Sequence, residues 1–434
     1  MPRAHLHKVM TCRWLLAAIM AILSIYAALT FTRAISNTLS HNGAIDFHAY
    51  WYAGHFVRQG TDPYWAYLNS AEPNVPIHYV DKVEAAGQPV SQGLCITPAN
   101  SAPMVLLLHL LAYFSWPVAK MLWLALNAAM VLATPWLLWK LLPCSLDRWW
   151  RGLIALTYYG MAGTRVALGN GQTSIIVIFL MLASLVLLQQ DRKYPAGIAL
   201  GLALSKFTLA IPLFLFLAYK RKWLVLGVSI LVQVLGLAVM AALPPGTPMS
   251  AISDYYSIAA GHVYVPGIHL TGLFPTHKLL PLIVGIGFSI LVLAPMSYIL
   301  FMDQNLAQRQ KDVTDYLALT ALCLWGLLAA YHQIYDGGLA ILAVAMAIGV
   351  LLAGDQWSAH PVPRIPLLAL LLVGAVALSL PGMFFGQFLA WWDPFIRGAT
   401  TVVLLAFLAA ALLLLKWSLP ARPRAGSAPQ AAKA

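Results

Sequence analysis

Residues 14–31 read WLLAAIMAILSIYAALTF, an uncharged and mostly apolar run preceded by Arg3, Lys8 and Arg13. A run of about 20 apolar residues is what the hydrocarbon core of a bilayer requires of one helix. Positive charge on one flank keeps that flank in the cytoplasm. The run is long for the apolar region of a signal peptide, and no small-x-small cleavage motif follows it. It therefore reads as an uncleaved first helix, 14–32, with the N-terminus inside. The rest of the chain has the same character. Of 434 residues, 61% are hydrophobic and only 9% charged, with a mean hydropathy of +0.77. Soluble domains carry about 25% charged residues, so a soluble enzyme and a disordered tail protein are both excluded. The 26 Lys+Arg against 14 Asp+Glu give a formal charge of +12. The basic residues fall in short clusters between apolar runs, so the excess is a topology signal and not a nucleic-acid surface. Cys12, Cys95, Cys144 and Cys323 are scattered, with neither disulfide nor zinc spacing.

Following the basic clusters outward from the first helix gives a topology. Residues 33–100 fall outside and hold five of the fourteen acids, Asp46, Asp62, Glu72, Asp81 and Glu84. Loops this long in a compact architecture are usually functional. The apolar stretch 102–140 is interrupted at Ser115-Trp116-Pro117, and Lys140, Arg148 and Arg151 mark its far end as cytoplasmic. Segment 102–115 is therefore expected to lie in the outer interface and 117–140 to cross, which makes 33–116 the first outer loop. Helix 152–168 rises to the turn Leu168-Gly169-Asn170-Gly171-Gln172, and 173–189 returns to Asp191-Arg192-Lys193. Residues 195–218 lie between that cluster and Lys220-Arg221-Lys222, both cytoplasmic, so a broken hairpin bending near Ser205-Lys206 is expected. Further helices are expected at 224–243, 279–301, 316–330, 337–353, 365–381 and 396–417, with an outer loop at 244–276 and an interfacial belt at Trp391-Trp392. The sum is an all-α polytopic membrane protein of about 11 to 12 transmembrane helices. It forms one unit over 1–420, with a disordered cytoplasmic tail at 421–434. Short loops and the lack of a retention signal favour a bacterial inner membrane with the polar motifs on its outer face.

Among those motifs, Ala44-Ile45-Asp46-Phe47-His48-Ala49-Tyr50-Trp51-Tyr52-Ala53-Gly54 stands out. Phe47, Tyr50, Trp51 and Gly54 share one face at helical spacing, as in an interfacial helix, and Asp46 suits its N-cap. Asp62, in Gly60-Thr61-Asp62-Pro63-Tyr64, reads as a turn residue. Lys206 sits in an apolar segment, which is costly unless it meets a cavity or an anion, or snorkels to the interface. Arg58, Arg165 and His332 offer charge or hydrogen bonds on the outer side, or serve as anchors there. Asn170 and Gln172 suit sugar hydroxyls, or cap and turn the backbone at a Gly-rich break. His262, His269 and His277 are too widely spaced to suggest a metal triad, and no metal site is expected.

Asp46-Phe47 with Tyr50-Trp51, Ala53-Gly54 and Gly60-Thr61-Asp62-Pro63-Tyr64 resembles the first outer loop of glycosyltransferase family 87. These are polyprenyl-phosphate-hexose-dependent mannosyltransferases of the GT-C membrane superfamily. The resemblance continues at Gly171-Gln172, at Ala196–Ala203 followed by Lys206 and Pro212, and at Tyr331-His332-Gln333 before Tyr335-Asp336. The chain departs from the family pattern at Thr97-Pro98-Ala99-Asn100-Ser101-Ala102-Pro103 and within 254–276, which leaves mannose as the default sugar. The resemblance implies a GT-C-type bundle, a lipid-phosphate sugar donor in place of any cofactor, and a lipid-linked or glycan acceptor. It also implies a catalytic role for Asp46. One inverting displacement needs one general base, unlike the paired acids of glycoside hydrolysis. The departing phosphate needs positive charge or donors, for which Lys206, Arg165, Arg58 and His332 are the candidates. Gln172, Asn170 and Tyr50 complete the substrate-binding set.

A polytopic transporter or lipid flippase is the competing class. Such proteins usually carry internal repeats and acids at the membrane midplane. No repeat is found here, and the acids map to loops and helix ends.

Overall fold

The computed structural model describes residues 13–40, 43–68, 100–245, 247–261, 267–270, 279–302, 308–330, 332–357, 362–379 and 393–418. Cys12, Cys95, Glu72, Asp81, Glu84, His262, His277, Trp391, Trp392 and the tail 421–434 lie outside them. Among the described residues there is no strand, as an apolar solvent demands of a chain that is not a closed barrel.

The helices run α1 (Arg13–Leu39), α2 (Ile45–Arg58), α3 (Pro63–Leu68), α4 (Ala102–Leu108, extended by a 3-10 segment His109–Tyr113) and α5 (Trp116–Leu141). They continue with α6 (Arg148–Gly160), α7 (Ala162–Asn170), α8 (Ser174–Gln189), α9 (Lys193–Ala203), α10 (Phe207–Tyr219) and α11 (Trp223–Ala241). The last are α12 (Pro248–Gly261), α13 (Leu279–Met302), α14 (Gln308–Ala329), α15 (Ile341–Trp357, entered by a 3-10 segment Ile334–Ala340), α16 (Arg364–Ser379) and α17 (Asp393–Ser418). The ends follow local chemistry. Asp147 caps α6 by accepting from the amides of Trp149 and Trp150, and α5 opens with Pro117 in its first turn.

Among the described residues, seven helices are long and apolar enough to cross a membrane, or eight if α7 and α8, bent by 118°, make one span. That is fewer than the 11 to 12 expected, because the chain breaks segments that the sequence presents as continuous. The expected helix 152–168 is two helices, with Met161 extended between them. The apolar segments Ala102–Tyr113, Phe207–Tyr219 and Arg364–Ser379 are short. Segment 102–115 does separate from α5 at Ser115-Trp116. The break near Ser205-Lys206 is also present, between α9 and α10. Gly197 lies against Val228 and Gly201 against Val232, so α9 and α11 run parallel and α10 brings the chain back between them. The charge argument for a hairpin is met.

Large apolar side chains such as Ile22, Ile25 and Leu29 on α1, and Ile283, Ile290 and Leu291 on α13, are exposed, as on a lipid-facing surface. Helices α14 and α15 are enclosed, and α15 presents an almost unbroken run of buried small and branched residues, Ala343 to Val350. Small residues let backbones meet. A Cβ at Gly163 would lie 2.6 Å from the Gly338 amide nitrogen and 2.8 Å from the Ile334 carbonyl oxygen. This contact tilts α7 away from α6 onto the 3-10 segment. Both obstructing atoms are backbone, so Gly163→Ala is expected to destabilise the protein by about 1–3 kcal/mol. Thermal unfolding in detergent measures it; an unchanged midpoint would show that the contact yields freely.

Candidate active site

The turn between α1 and α2 docks on the end of α7. Thr38 donates through Oγ1 to the Leu168 carbonyl at 2.9 Å, and the Ala44 amide donates to the Gly169 carbonyl at 3.3 Å. Ala44, fully buried, holds the left-handed conformation at φ 57° and forms the N-cap of α2, a costly conformation for a residue with a Cβ. Gly171 takes φ 69° at the α7–α8 bend, its carbonyl accepts from Trp123 Nε1 at 2.9 Å, and an added Cβ would lie 2.7 Å from that of Phe47.

These contacts place Asp46 in the first turn of α2 beside the α7–α8 bend. The expectation that Asp46 caps the helix is corrected: the cap is Ala44 and makes no side-chain cap bond. The carboxylate is hydrogen-bonded by the side-chain amides of Gln172 and Asn170, within electrostatic reach of Lys206 and Asp336. Burial is the largest influence on it. It pushes the carboxyl up to about 6, against the lowering pull of Gln172, Lys206 and Asn170. Asp46 nevertheless retains solvent-accessible surface.

The second carboxylate is Asp336, buried in the 3-10 segment that opens α15. Its Oδ1 lies 2.5 Å from Lys206 Nζ and accepts from Ser174 Oγ at 2.6 Å. Its Oδ2 lies 2.9 Å from His332 Nδ1. Lys206 also donates to Ser174 Oγ at 2.7 Å, and its ammonium sits 4.5 Å from the centre of the Tyr335 ring. The chain thus brings a lysine, at the first break after α9, to an acid 130 residues later. His332 is fully buried, and its backbone amide donates to His269 Nδ1 at 3.2 Å. Burial lowers His269 to about 4, and the His332 carbonyl oxygen, 3.2 Å from Nδ1, opposes this by favouring the protonated ring.

Tyr50, one turn beyond Asp46, is buried and hydrogen-bonded with Thr173, and burial raises its phenol well above 10. Asn100 donates through Nδ2 to Thr173 Oγ1 at 2.7 Å, and its carbonyl accepts from Tyr64 Oη at 2.6 Å. The Ser101 amide donates to the Ser205 carbonyl at 2.9 Å. Segment 100–101, the α7–α8 bend and the α9–α10 break therefore form one wall. Asp62 does what a turn residue should, its Oδ1 accepting from the Tyr64 amide at 2.8 Å.

Of the residues proposed from sequence, Asp46, Tyr50, Asn170, Gln172, Lys206 and His332 converge. Arg58 and Arg165 do not. Arg58 donates to the Ala112 carbonyl and lies 4.4 Å from the Tyr113 ring centre, a strut between α2 and the segment after α4. Arg165, on α7, lies within electrostatic reach of Arg33 and Tyr26 of α1. The aromatic face of α2 is not turned to lipid either. Phe47 stacks on Trp123 at 4.9 Å and on Trp116 at 5.7 Å, and Phe47, Tyr50, Trp51 and Gly54 are buried in protein. Sequence reasoning missed Asp336 and Ser174 as members of the site. The available signal was an acid, in Tyr335-Asp336-Gly337-Gly338, directly before an apolar run. Among the described residues no group of three or more His, Cys, Asp or Glu is arranged to hold a metal ion.

Chemically, the cluster offers one carboxylate pushed up by burial, a second carboxylate fully engaged by its neighbours, one ammonium, one imidazole and two amides. In comparisons with known proteins, no curated protein and no solved structure matches the chain. The model of glycosyltransferase family 87 matches residues 100–330, over half of the chain. The matched region contains Asn170, Gln172, Ser174 and Lys206; Asp46, His332 and Asp336 lie outside it.

Proposed function

The chain belongs to glycosyltransferase family 87 and is a membrane glycosyltransferase; from that premise we propose that it moves a hexose, with mannose as the default, from a polyprenyl-phosphate-sugar donor to a lipid-linked or glycan acceptor. In this reading the reaction takes place on the outer face of a bacterial inner membrane and inverts the anomeric centre, with Asp46 as general base. The acceptor hydroxyl oxygen attacks the anomeric carbon and its proton passes to Asp46. The bond from that carbon to the phosphate oxygen breaks, and the electron pair leaves with the lipid phosphate. Lys206 and His332 face the growing phosphate charge, while Gln172, Asn170 and Tyr50 hold sugar hydroxyls.

The observation that carries the reading is the contrast between the two carboxylates. Both oxygens of Asp336 are taken by Lys206, Ser174 and His332. Asp46 meets the side-chain amides of Gln172 and Asn170, and burial pushes its carboxyl up to about 6, which suits a base working near neutrality. No comparable chemistry is needed of a transporter.

The test is transfer by the purified protein in lipid vesicles, with short-chain polyprenyl-phosphate hexoses and an extract of acceptor lipids. A product of inverted anomeric configuration is expected. Because the Asp46 carboxyl is raised, its basic form is lost as the pH falls through about 6. The rate should therefore fall about tenfold per pH unit below that point and level off above it. Retained configuration, or a flat profile down to pH 4.5, would exclude Asp46 as the base. Solute movement without sugar transfer would favour the transporter.

A further inference from the structure

The packing around His332 uses one of its ring nitrogens and not the other. Nδ1 lies 2.9 Å from Asp336 Oδ2, the two residues being i,i+4. Nε2 is buried and has no hydrogen-bond partner among the described residues. A buried polar atom without a partner is destabilising, and native proteins keep few of them except where a ligand arrives. His332 shares its carboxylate with the Lys206 ammonium, so its unpartnered nitrogen stands in a cluster that carries charge. Its partner is informative too. Asp336 lies between two cationic or potentially cationic groups, with Lys206 on one oxygen and His332 on the other. The charged and titratable groups around this pair are Lys206 from the α9–α10 break, Asp46 and Tyr50 from α2, and His269 with Arg397 of α17 behind it.

We propose that Asp336 is a positioning residue that acts through His332. By accepting the Nδ1–H it fixes the ring and supplies the negative charge that a ring protonated on both nitrogens needs, so that Nε2–H donates to the phosphate of the sugar donor beside the Lys206 ammonium. This rests on the reading of the chain as a lipid-phosphate-dependent glycosyltransferase and goes beyond it by giving each ring nitrogen a task. As the bond between the anomeric carbon and the phosphate oxygen breaks, the leaving electron pair adds charge to the phosphate. The Nε2–H bond strengthens with that charge, and no proton has to leave the ring. The acceptor's proton still goes to Asp46. An interaction that grows toward the transition state acts on kcat more than on KM. Asp336 never touches the substrate.

Two substitutions at one position separate this from a packing role. The amide nitrogen of Gln reaches close to where Nε2 stands, whereas that of Asn falls near Nδ1. His332→Gln should therefore keep at least tenfold more kcat than His332→Asn. A histidine kept only for its Asp336 bond gives the opposite order. Asp336→Asn should lower kcat about a hundredfold or more with a much smaller change in KM. Combined with His332→Asn, it should cost little beyond His332→Asn alone, because that variant already lacks the Nε2–H through which Asp336 acts. Multiplying effects, or Asn rescuing better than Gln, would overturn the proposal while wild-type transfer left the functional reading intact. If Asp336→Asn does not fold, the Gln–Asn comparison decides alone. A wild-type protein that transfers from no polyprenyl-phosphate hexose would overturn the functional reading, and this proposal with it.

Discussion

Asp46→Asn is expected to abolish sugar transfer, lowering kcat by about a thousandfold, while leaving the protein folded. Asn keeps the shape of the side chain and an oxygen that accepts from the Gln172 or Asn170 amide; it loses only the basic site. The direction of the stability effect follows from the carboxyl being raised to about 6, mainly by burial. A raised carboxyl is one whose ionised form is disfavoured in the fold, so above pH 6 the ionised Asp46 opposes folding, and this penalty fades as the pH falls through 6. The Asn variant should therefore unfold at the wild-type temperature or higher at pH 7.5, with the difference shrinking below pH 6 and nearly gone at pH 4. Transfer from a polyprenyl-phosphate hexose and thermal unfolding in the same detergent measure the two halves. Normal transfer by the variant would remove Asp46 from the mechanism. Lost transfer with a lowered unfolding temperature would make it a structural residue.

The second large effect is expected at Lys206. Its ammonium is one of two basic groups on the buried Asp336 carboxylate, and removing one partner of a buried pair leaves a charge that nothing compensates. Lys206→Met should cost about 3–5 kcal/mol of stability and reduce transfer to background. The attribution can be checked with Lys206→Met/Asp336→Asn, where the stranded charge is gone and stability should return by more than half. Stability restored without transfer would assign Lys206 to both the fold and the phosphate. A Lys206→Met protein that unfolds at the wild-type temperature would show that the ion pair contributes nothing. Lys206 and Asp336 lie 130 residues apart, so no local rearrangement could mimic the double variant.

The parts of this molecule legible in the sequence were those that charge and helix length control. Two basic clusters, both expected on the cytoplasmic side, called for a break near Ser205-Lys206, and the α9–α10 break lies there. Asp46 and Gln172 were picked out by the family resemblance, and Lys206 also because a lysine in an apolar segment is conspicuous. What resisted reading was set by contacts between distant segments. In Tyr159-Gly160-Met161-Ala162 the one hint of a helix end is Gly160, where α6 stops, and the close approach of Gly163 to the backbone of Ile334 and Gly338 is not written locally at all. Asp46 looked like a cap because caps favour Asp, but the docking of Ala44 on Gly169 starts the helix earlier and frees the carboxylate. Arg58 and Arg165 have the right charge in the right part of the sequence, yet the first is spent on Ala112 and the second faces α1. Asp336 went unread because an acid before an apolar run resembles any helix end, and its partners, Lys206 and Ser174, are far away in sequence.

The Lys206–Asp336 pair also bears on how the protein is made. Synthesis runs from the N-terminus, so Lys206 enters the membrane well before Asp336 has been translated. During that interval an ammonium sits in an apolar segment without its carboxylate, a state the bilayer penalises. Only when the 3-10 segment before α15 arrives can the ammonium, Ser174 and His332 settle around one acid. The Asp46 side of the site is complete much earlier, since α1, α2 and the α7–α8 bend all precede residue 190. Birth order therefore divides the site in two: the half proposed to take the proton is assembled first, and the half proposed to meet the phosphate is closed by the last third of the chain.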